Sequence, residues 1–258
     1  MTLIRELVLI GSGRVASQMA NAFIHAGISI RAVYSRTPAH AAVLAKSLAV
    51  PAVTSLAEIP TDADAYIFAV SDSALPEMLA KMPAVNGVLM HTSGTVGLDV
   101  FPDRFEKTAV FYPLQTFSKE KPADFEQIPL LIESKKPAVF SAIKALAQKL
   151  SNKVLEANSE QRKQIHLSAV FVSNFPNLLF YIAQQLLQEK GLDFNVLKPL
   201  IAETAHKLDY LSPAQAQTGP ALRRDEAVLQ AHQEMLGNHP EWEKIYTLLS
   251  EEIKKIKS

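Results

Sequence analysis

Leu7-Val8-Leu9-Ile10-Gly11-Ser12-Gly13-Arg14-Val15-Ala16 is the stretch on which the fold turns. Four consecutive apolar residues read as a buried strand, and Val15, Met19, Phe23 and Ala26 then recur at helical spacing. Between strand and helix lies G-x-G-x-x-A. Its first glycine permits a tight turn, its second lets backbone approach a pyrophosphate, and Ala16 allows the helix to pack closely on the strand. The free N–H groups of the helix N-terminus add partial positive charge for phosphates. Gly11, Ser12, Gly13, Arg14 and Val15 are thus expected against a dinucleotide, the plainer alternative being an ordinary βα turn.

Working outward, the alternation continues. Residues 28–34 read as a second strand, 38–49 as a helix opened by Pro38, 50–53 as a short third strand and 65–70 as a fourth. A helix near 74–80 precedes a fifth strand at 88–91, with further strands at 108–112, 130–132 and 153–155. This pattern predicts an open, mostly parallel α/β sheet. From Asn158 onward strand signals stop, and helical patterns cover 159–190, 194–210, 225–236 and 240–257. The expected division is an α/β domain over 1–157 and an all-α domain over 158–258.

Composition narrows the function classes. Lys plus Arg equals Asp plus Glu, 26 against 26, so no whole-molecule field draws in nucleic acid or an anionic membrane. The absence of cysteine excludes disulfides, thiolate nucleophiles and cysteine-ligated metal. The histidines show no H-E-x-x-H or similar ligand spacing, so no metal centre is expected. The longest uninterrupted apolar runs, 65–70 and 178–183, are short of the ~20 residues that span a bilayer. The first residues lack the layout of a signal peptide. A cytoplasmic protein with no membrane or nucleic-acid partner is expected.

Cofactor choice is legible after the second strand. An Asp or Glu about 20 residues beyond the glycines usually holds a ribose 2′-hydroxyl; this chain has Ser35-Arg36-Thr37 there. A hydroxyl and a guanidinium suit a 2′-phosphate, so NADP is favoured over NAD. Val70-Ser71-Asp72 and His91-Thr92-Ser93-Gly94 leave the carboxyl ends of the fourth and fifth strands, where ligands sit in open α/β sheets. For His91 and Ser93 a structural role and a functional one stand equally open.

The long helical segment after residue 158 carries a polar stripe. At ~100° per residue, His166, Ser173, Asn174, Asn177 and Tyr181 share one face of an otherwise apolar helix. Such a stripe must meet water, a polar network or a ligand. Pro176 should kink this helix. His166 is a candidate proton donor, a structural histidine being the alternative. A third cluster, 217–225, places Thr218, Gly219 and Arg223 where they could reach a carboxylate or phosphate; an interhelix turn with solvated arginines is the alternative.

Several longer strings carry a family resemblance: GSGRVA at 11–16, AVSD at 69–72, HTSG at 91–94, YPLQTFS at 112–118, QRKQIHLSAVFVSNFPN at 161–177, PLIAET at 199–204 and QTGPALRRD at 217–225. Over nearly its whole length the chain resembles bacterial Rossmann-like oxidoreductases carrying domain of unknown function 2520. These are relatives of pyrroline-5-carboxylate reductase, 6-phosphogluconate dehydrogenase and ketopantoate reductase. The resemblance implies a Rossmann domain that binds NADP, a helical domain that forms a homodimer, and a small-molecule substrate for which ketopantoate is the leading candidate. It also implies that Ser93, Gln115, Thr116, His166, Asn174, Asn177 and the 217–223 segment line the nicotinamide cleft. The related dehydrogenases use a Lys on the first long helix with an Asn one turn later; here His166 is followed one turn later by Val170.

The expected chemistry is hydride transfer from NADPH to a small 2-keto acid or an imine. His166 would give the proton, Asn174 and Asn177 would hold the substrate, Ser93 would orient its carbonyl, and Arg223 would meet a carboxylate. An imidazole, whose ordinary pKa is about 6.5, can supply a proton near neutral pH. The competing class is a non-catalytic NADP-binding sensor or scaffold. A dehydrogenase working in the oxidative direction is a third possibility.

Overall fold

Strands with apolar residues on both faces can be buried only between two layers, and that is how the first part of the chain is built. The computed structural model describes residues 3–118 and 121–256. Strands β1 (Glu6–Ile10), β2 (Ser29–Tyr34), β3 (Ala52–Val53), β4 (Ala65–Phe68), β5 (Val88–His91), β6 (Thr108–Pro113), β7 (Leu130–Glu133) and β8 (Val154–Glu156) form one sheet in the order β3-β2-β1-β4-β5-β6-β7-β8. Every pairing is parallel except β6 with β7.

Alternation along β1 sends Leu7 and Leu9 into one core and Val8 and Ile10 into the other, all fully buried. Helices α1 (Arg14–His25), α2 (Pro38–Leu48) and α4 (Pro137–Leu150) cover the first face, with Met19, Phe23, Ile143 and Leu146 among its buried residues. Helix α3 (Leu75–Lys81) covers the other with Leu75, Met78 and Leu79. The open, mostly parallel α/β sheet expected from the sequence is the observed one. Helix α4 is an addition: residues 137–150 carry no assignment in the sequence reading, yet Val139, Ile143, Leu146 and Leu150 bury a regular helical face.

The chain forms two compact units, Met1–Asn174 and Phe175–Ser258. The change from strands to helices lies at 157–158, as expected, but the first unit runs on to residue 174. The reason is helix α5 (Ser159–Ala169), opened by an Asn158–Gln161 capping box. Its Arg162 is fully buried and pairs with Glu133 of β7 while donating to the Val96 carbonyl. The Ser159 hydroxyl and backbone N–H both donate to Glu133. Helix α5 therefore belongs to the sheet.

Residues 170–174 form a π-helical turn, followed by α6 (Phe175–Gln188). Pro176 has no N–H to give and its ring would press on the carbonyl four residues back, so a wider turn relieves the conflict; the sequence predicts a kink at this point. The helical run 159–188 is, by length and composition alone, apolar enough to cross a membrane, with a mean hydropathy of 1.3 over its most apolar window. No single uninterrupted apolar run shows this, because polar residues punctuate the segment.

In the second unit α7 (Lys198–His206) is flanked by 3-10 turns at Phe194–Leu197 and Lys207–Asp209, so the predicted helix over 194–210 is present in three pieces. Short helices α8 (Pro213–Ala216) and α9 (Pro220–Arg223) lead to α10 (Glu226–Met235), capped by Asp225, and α11 (Pro240–Lys254). The predicted end of the last helix, Lys257, lies outside the described residues.

Candidate active site

The tight turn after β1 explains why residue 11 is glycine. Gly11 has φ +123°, and a Cβ there would fall 2.2 Å from the Ala69 carbonyl oxygen. Its N–H donates to the Tyr34 carbonyl (2.8 Å) while the Ala69 N–H donates to the Ile10 carbonyl (2.8 Å), so the loop is pinned across three strand ends. Gly13 is the N-cap of α1. No side chain caps the helix, no acid sits in its first turn, and a Cβ at residue 13 would meet nothing within 4 Å. An open backbone cradle at an uncapped helix N-terminus fits a pyrophosphate.

This cradle opens a cavity of about 590 Å³ lined by Gly11 to Val15, Tyr34 to Thr37, Ala69 to Asp72, Thr92 to Gly94, Met78, Tyr112 and His166. Twelve of the thirteen predicted cofactor residues line it: Gly11, Ser12, Gly13, Arg14, Val15, Ser35, Arg36, Thr37, Val70, Ser71, Asp72 and Thr92. The Ser12 hydroxyl donates to Ser35 Oγ (2.9 Å) and so does the Thr37 N–H (3.3 Å), which leaves the Ser35 proton free for a ligand oxygen. With Arg36 beside it and no carboxylate among residues 34–37, this end suits a 2′-phosphate.

His91 is the exception and corrects the sequence expectation. It is fully buried and absent from the cavity wall, its ring stacked on Phe101 at 5.5 Å. Its Nδ1 accepts the Ser93 N–H (3.2 Å), shaping the loop from beneath. Burial, reinforced by the charge of Arg162, pushes its pKa down to about 4. Ser93 does line the cavity, but its oxygen already accepts the N–H groups of Thr95 (3.1 Å) and Val96 (3.0 Å). It caps a turn, and because the Thr95 hydroxyl is given to Asp72, the Ser93 proton faces Thr95 Oγ1 at 3.4 Å. Asp72 accepts the Thr95 hydroxyl and ties the two loops together.

A second cavity of about 550 Å³ shares Tyr112 and His166 with the first. Leu114, Gln115 and Thr116 form one wall after β6, and residues of α5 and the π turn, Ile165, Val170, Ser173 and Asn174 among them, form the other. The structure thus brings together Gln115, Thr116, His166 and Asn174. The helical wheel does not survive intact, because a π turn takes more residues than the ~3.6 of an α turn and shifts the face beyond it. Asn177 and Tyr181 lie on α6 in the second unit, where both are exposed. Thr218, Gly219 and Arg223 also belong to that unit. Gly219, at φ +112°, is the N-cap of α9, and Arg223 ends that helix, exposed.

Only Tyr112 and His166 line both cavities. The Tyr112 hydroxyl lies 3.0 Å from His166 Nδ1, and the two rings meet edge to face with centroids 6.0 Å apart. Burial raises the Tyr112 phenol above its ordinary range. Sequence reasoning passed over Tyr112. The signal was there: Val110 and Tyr112 share a strand face, and a polar-tipped residue at the carboxyl end of a parallel strand points at the ligand edge.

Two family models match the chain. Residues 128–253 match domain of unknown function 2520, and residues 6–90 match "NADP oxidoreductase coenzyme F420-dependent". The Bacteroides fragilis protein BF3122, described as an NADP oxidoreductase, has a crystal structure similar to this one at TM-score 0.92. It is 41% identical, over 96% of this chain and 97% of its own. Protein TM1727 from Thermotoga maritima aligns at TM-score 0.78 with 23% identity, over 96% of this chain and 100% of its own. A reductive aminase from Aspergillus terreus, in complex with NADPH and ethyl-5-oxohexanoate, shares the fold at TM-score 0.69 with 17% identity, over 98% and 93% of the two chains. No match was found among the curated proteins.

Proposed function

The chain belongs to the family of NADP oxidoreductases that includes the Bacteroides fragilis protein, and from that premise we propose that it reduces the carbonyl or imine group of a small substrate with NADPH. A 2-keto acid is the leading class, with ketopantoate its first candidate. The observation that carries this reading is the pair Tyr112 and His166, which stands where the dinucleotide cavity and the second cavity adjoin. A cofactor held in the first and a substrate held in the second could react only there.

When bound, NADPH supplies a hydride. The residues of the chain do the rest. The α1 N-terminus holds the pyrophosphate, and Ser35 and Arg36 hold the 2′-phosphate. His166 gives a proton to the oxygen or nitrogen that gains the electron pair of the reduced double bond. Asn174 offers an amide to the substrate from the second cavity, Gln115 and Thr116 face it, and Ser93 would have to turn its proton from Thr95 to orient the substrate carbonyl. Asn177, Thr218, Gly219 and Arg223, all of the second unit, are proposed as substrate-binding residues on the family resemblance, Arg223 as the cation for a carboxylate.

We further read the protein as a cytoplasmic homodimer assembled through its helical unit. Leu178, Leu200, Leu208 and Tyr210 of that unit are between 47% and 69% exposed in the single chain, more apolar surface than a solitary soluble domain keeps bare. Light scattering on the purified chain is expected to give twice the mass of one chain. Recovery in the membrane fraction would instead favour a lipid-facing role for residues 159–188.

The test of function is NADPH oxidation, with NADH in parallel, against small 2-keto acids including ketopantoate and against cyclic imines. Turnover that prefers NADPH is the expected result and assigns the substrate class. Tight NADPH binding without turnover across the panel would favour a sensor.

A further inference from the structure

We infer that Tyr112 is the positioning residue for His166, its hydroxyl donating to Nδ1 so that the imidazole carries its proton on Nε2, with Gly94 left bare of a side chain to seat the pair. The inference deepens the reading of His166 as proton donor and rests on it.

The positions of the two rings are fixed independently. Tyr112 comes from β6, and the strand's alternation puts it on the same face as the buried Val110. His166 stands four residues after Arg162, hence on the same face of α5, and Arg162 is locked into the sheet by Glu133 and the Val96 carbonyl. Two anchored elements bring the phenol and the imidazole to 3.0 Å across 54 positions of sequence.

The direction of the hydrogen bond follows from what each group can do. A neutral imidazole has one donor nitrogen and one acceptor, while a phenol has one proton to place. Tyr112 Oη has no other hydrogen-bond partner among the described residues. Were Nδ1 the protonated nitrogen, it would donate to the phenol oxygen and the phenolic proton would have no acceptor among the described residues. Donation from Tyr112 satisfies both groups in the neutral imidazole and leaves Nε2 as the nitrogen turned to the substrate; when the ring is protonated, Nδ1–H donates to the Tyr112 oxygen instead and Nε2–H is the proton given away. Burial, which keeps the phenol protonated, supports the same direction.

Gly94 supplies a separate geometric argument. A Cβ at residue 94 would lie 2.5 Å from His166 Nδ1, 2.8 Å from its Cγ and 3.0 Å from Tyr112 Cζ. The backbone of Gly94 does not occupy the left-handed region, so conformation does not demand glycine there. Space for the two rings does.

The test reads the imidazole directly. The full chain, labelled with ¹⁵N-histidine and free of cofactor, is studied by NMR at about pH 8.5, two units above the ordinary imidazole value, with His166→Gln identifying the His166 signals. The expected spectrum shows His166 as the Nε2–H tautomer. Tyr112→Phe keeps the ring and removes the hydroxyl, and should turn this into a mixture of tautomers. In the enzyme assay it should lower kcat about tenfold or more while KM and NADPH affinity stay within about twofold. Gly94→Ala, which retains the hydroxyl but displaces the rings, should shift the tautomer in the same direction. An unchanged His166 tautomer in Tyr112→Phe overturns the inference, as does a variant that loses thermal stability and NADPH affinity in step with kcat. A tautomer that responds in a protein with no turnover on any substrate sustains the positioning and overturns the catalytic reading of His166 instead.

Discussion

The sheet unit and the helical unit treat their apolar residues in opposite ways. In the first, both faces of the central strands are covered, and residues such as Leu7, Ile10, Ile67, Phe68 and Phe111 have at most 1% of their surface exposed, while the edge strands β3 and β8 keep exposed residues such as Ala52 and Leu155. In the second, only Ala221, Leu229, Leu236 and Ser250 are buried among the described residues, while Leu200 is 63% exposed. A doubly covered sheet closes its own core. Helices of this length gain little stability from propensity alone and depend on packing, which a single chain here supplies sparingly. The contrast shows why the proposed dimer would matter to one unit and not to the other.

Four measurements would break or sharpen this contrast. The largest effect is expected from Arg162→Ala, which leaves Glu133 without its cation in the interior. Breaking such a pair costs about 3–5 kcal/mol, so denaturant unfolding should show the sheet unit losing most of its stability. Unfolding at the parent's midpoint would mean that α5 is not part of that unit.

Gly11→Ala is expected to cost about 3 kcal/mol through the strained φ and the clash with the Ala69 carbonyl. NADPH titration should show binding lost, and retained affinity would place the dinucleotide elsewhere.

The third effect concerns pH. His91 has a folded pKa of about 4, below its ordinary 6.5. Below pH 6.5 the unfolded chain takes up a proton that the native site refuses, so this stabilisation is complete above that value and falls as pH drops toward 4. Between pH 7 and 5 the loss should be roughly 2 kcal/mol. His91→Asn, which keeps an acceptor for the Ser93 N–H, should flatten that slope; an identical slope would show that other groups carry it.

The smallest effect on folding is expected from Leu200→Glu on α7, within about 0.5 kcal/mol for the isolated chain because the site is exposed. Its mark should be on mass by light scattering at low concentration. A variant as dimeric as the parent would place the interface on another face.

How much was legible in the sequence follows from the range of the interactions involved. The order of strands, the glycine loop and the Ser35-Arg36-Thr37 segment were readable because strand alternation, helical spacing and turn chemistry act over a few residues. Helix α4 is equally local and its apolar spacing is regular, but it lies between two strand signals that compete with it. His91 misled because a polar residue at a strand's carboxyl end looks the same whether it faces a ligand or, as here, a phenylalanine beneath the loop.

By itself the sequence determined a dinucleotide-type βα turn, a mostly parallel sheet with helical chain after it, and a phosphate-compatible segment beyond β2. Each is a property of residues adjacent along the chain. Only the tertiary structure decided that α5 belongs to the sheet, that a π turn re-aims the polar stripe, and that Tyr112 meets His166 over Gly94. Those outcomes depend on contacts between residues 29 to 72 positions apart, Glu133 with Arg162 and Gly94 with His166. Local periodicity carries no record of such contacts. They exist only once burial of the two sheet faces has brought the strands and α5 together.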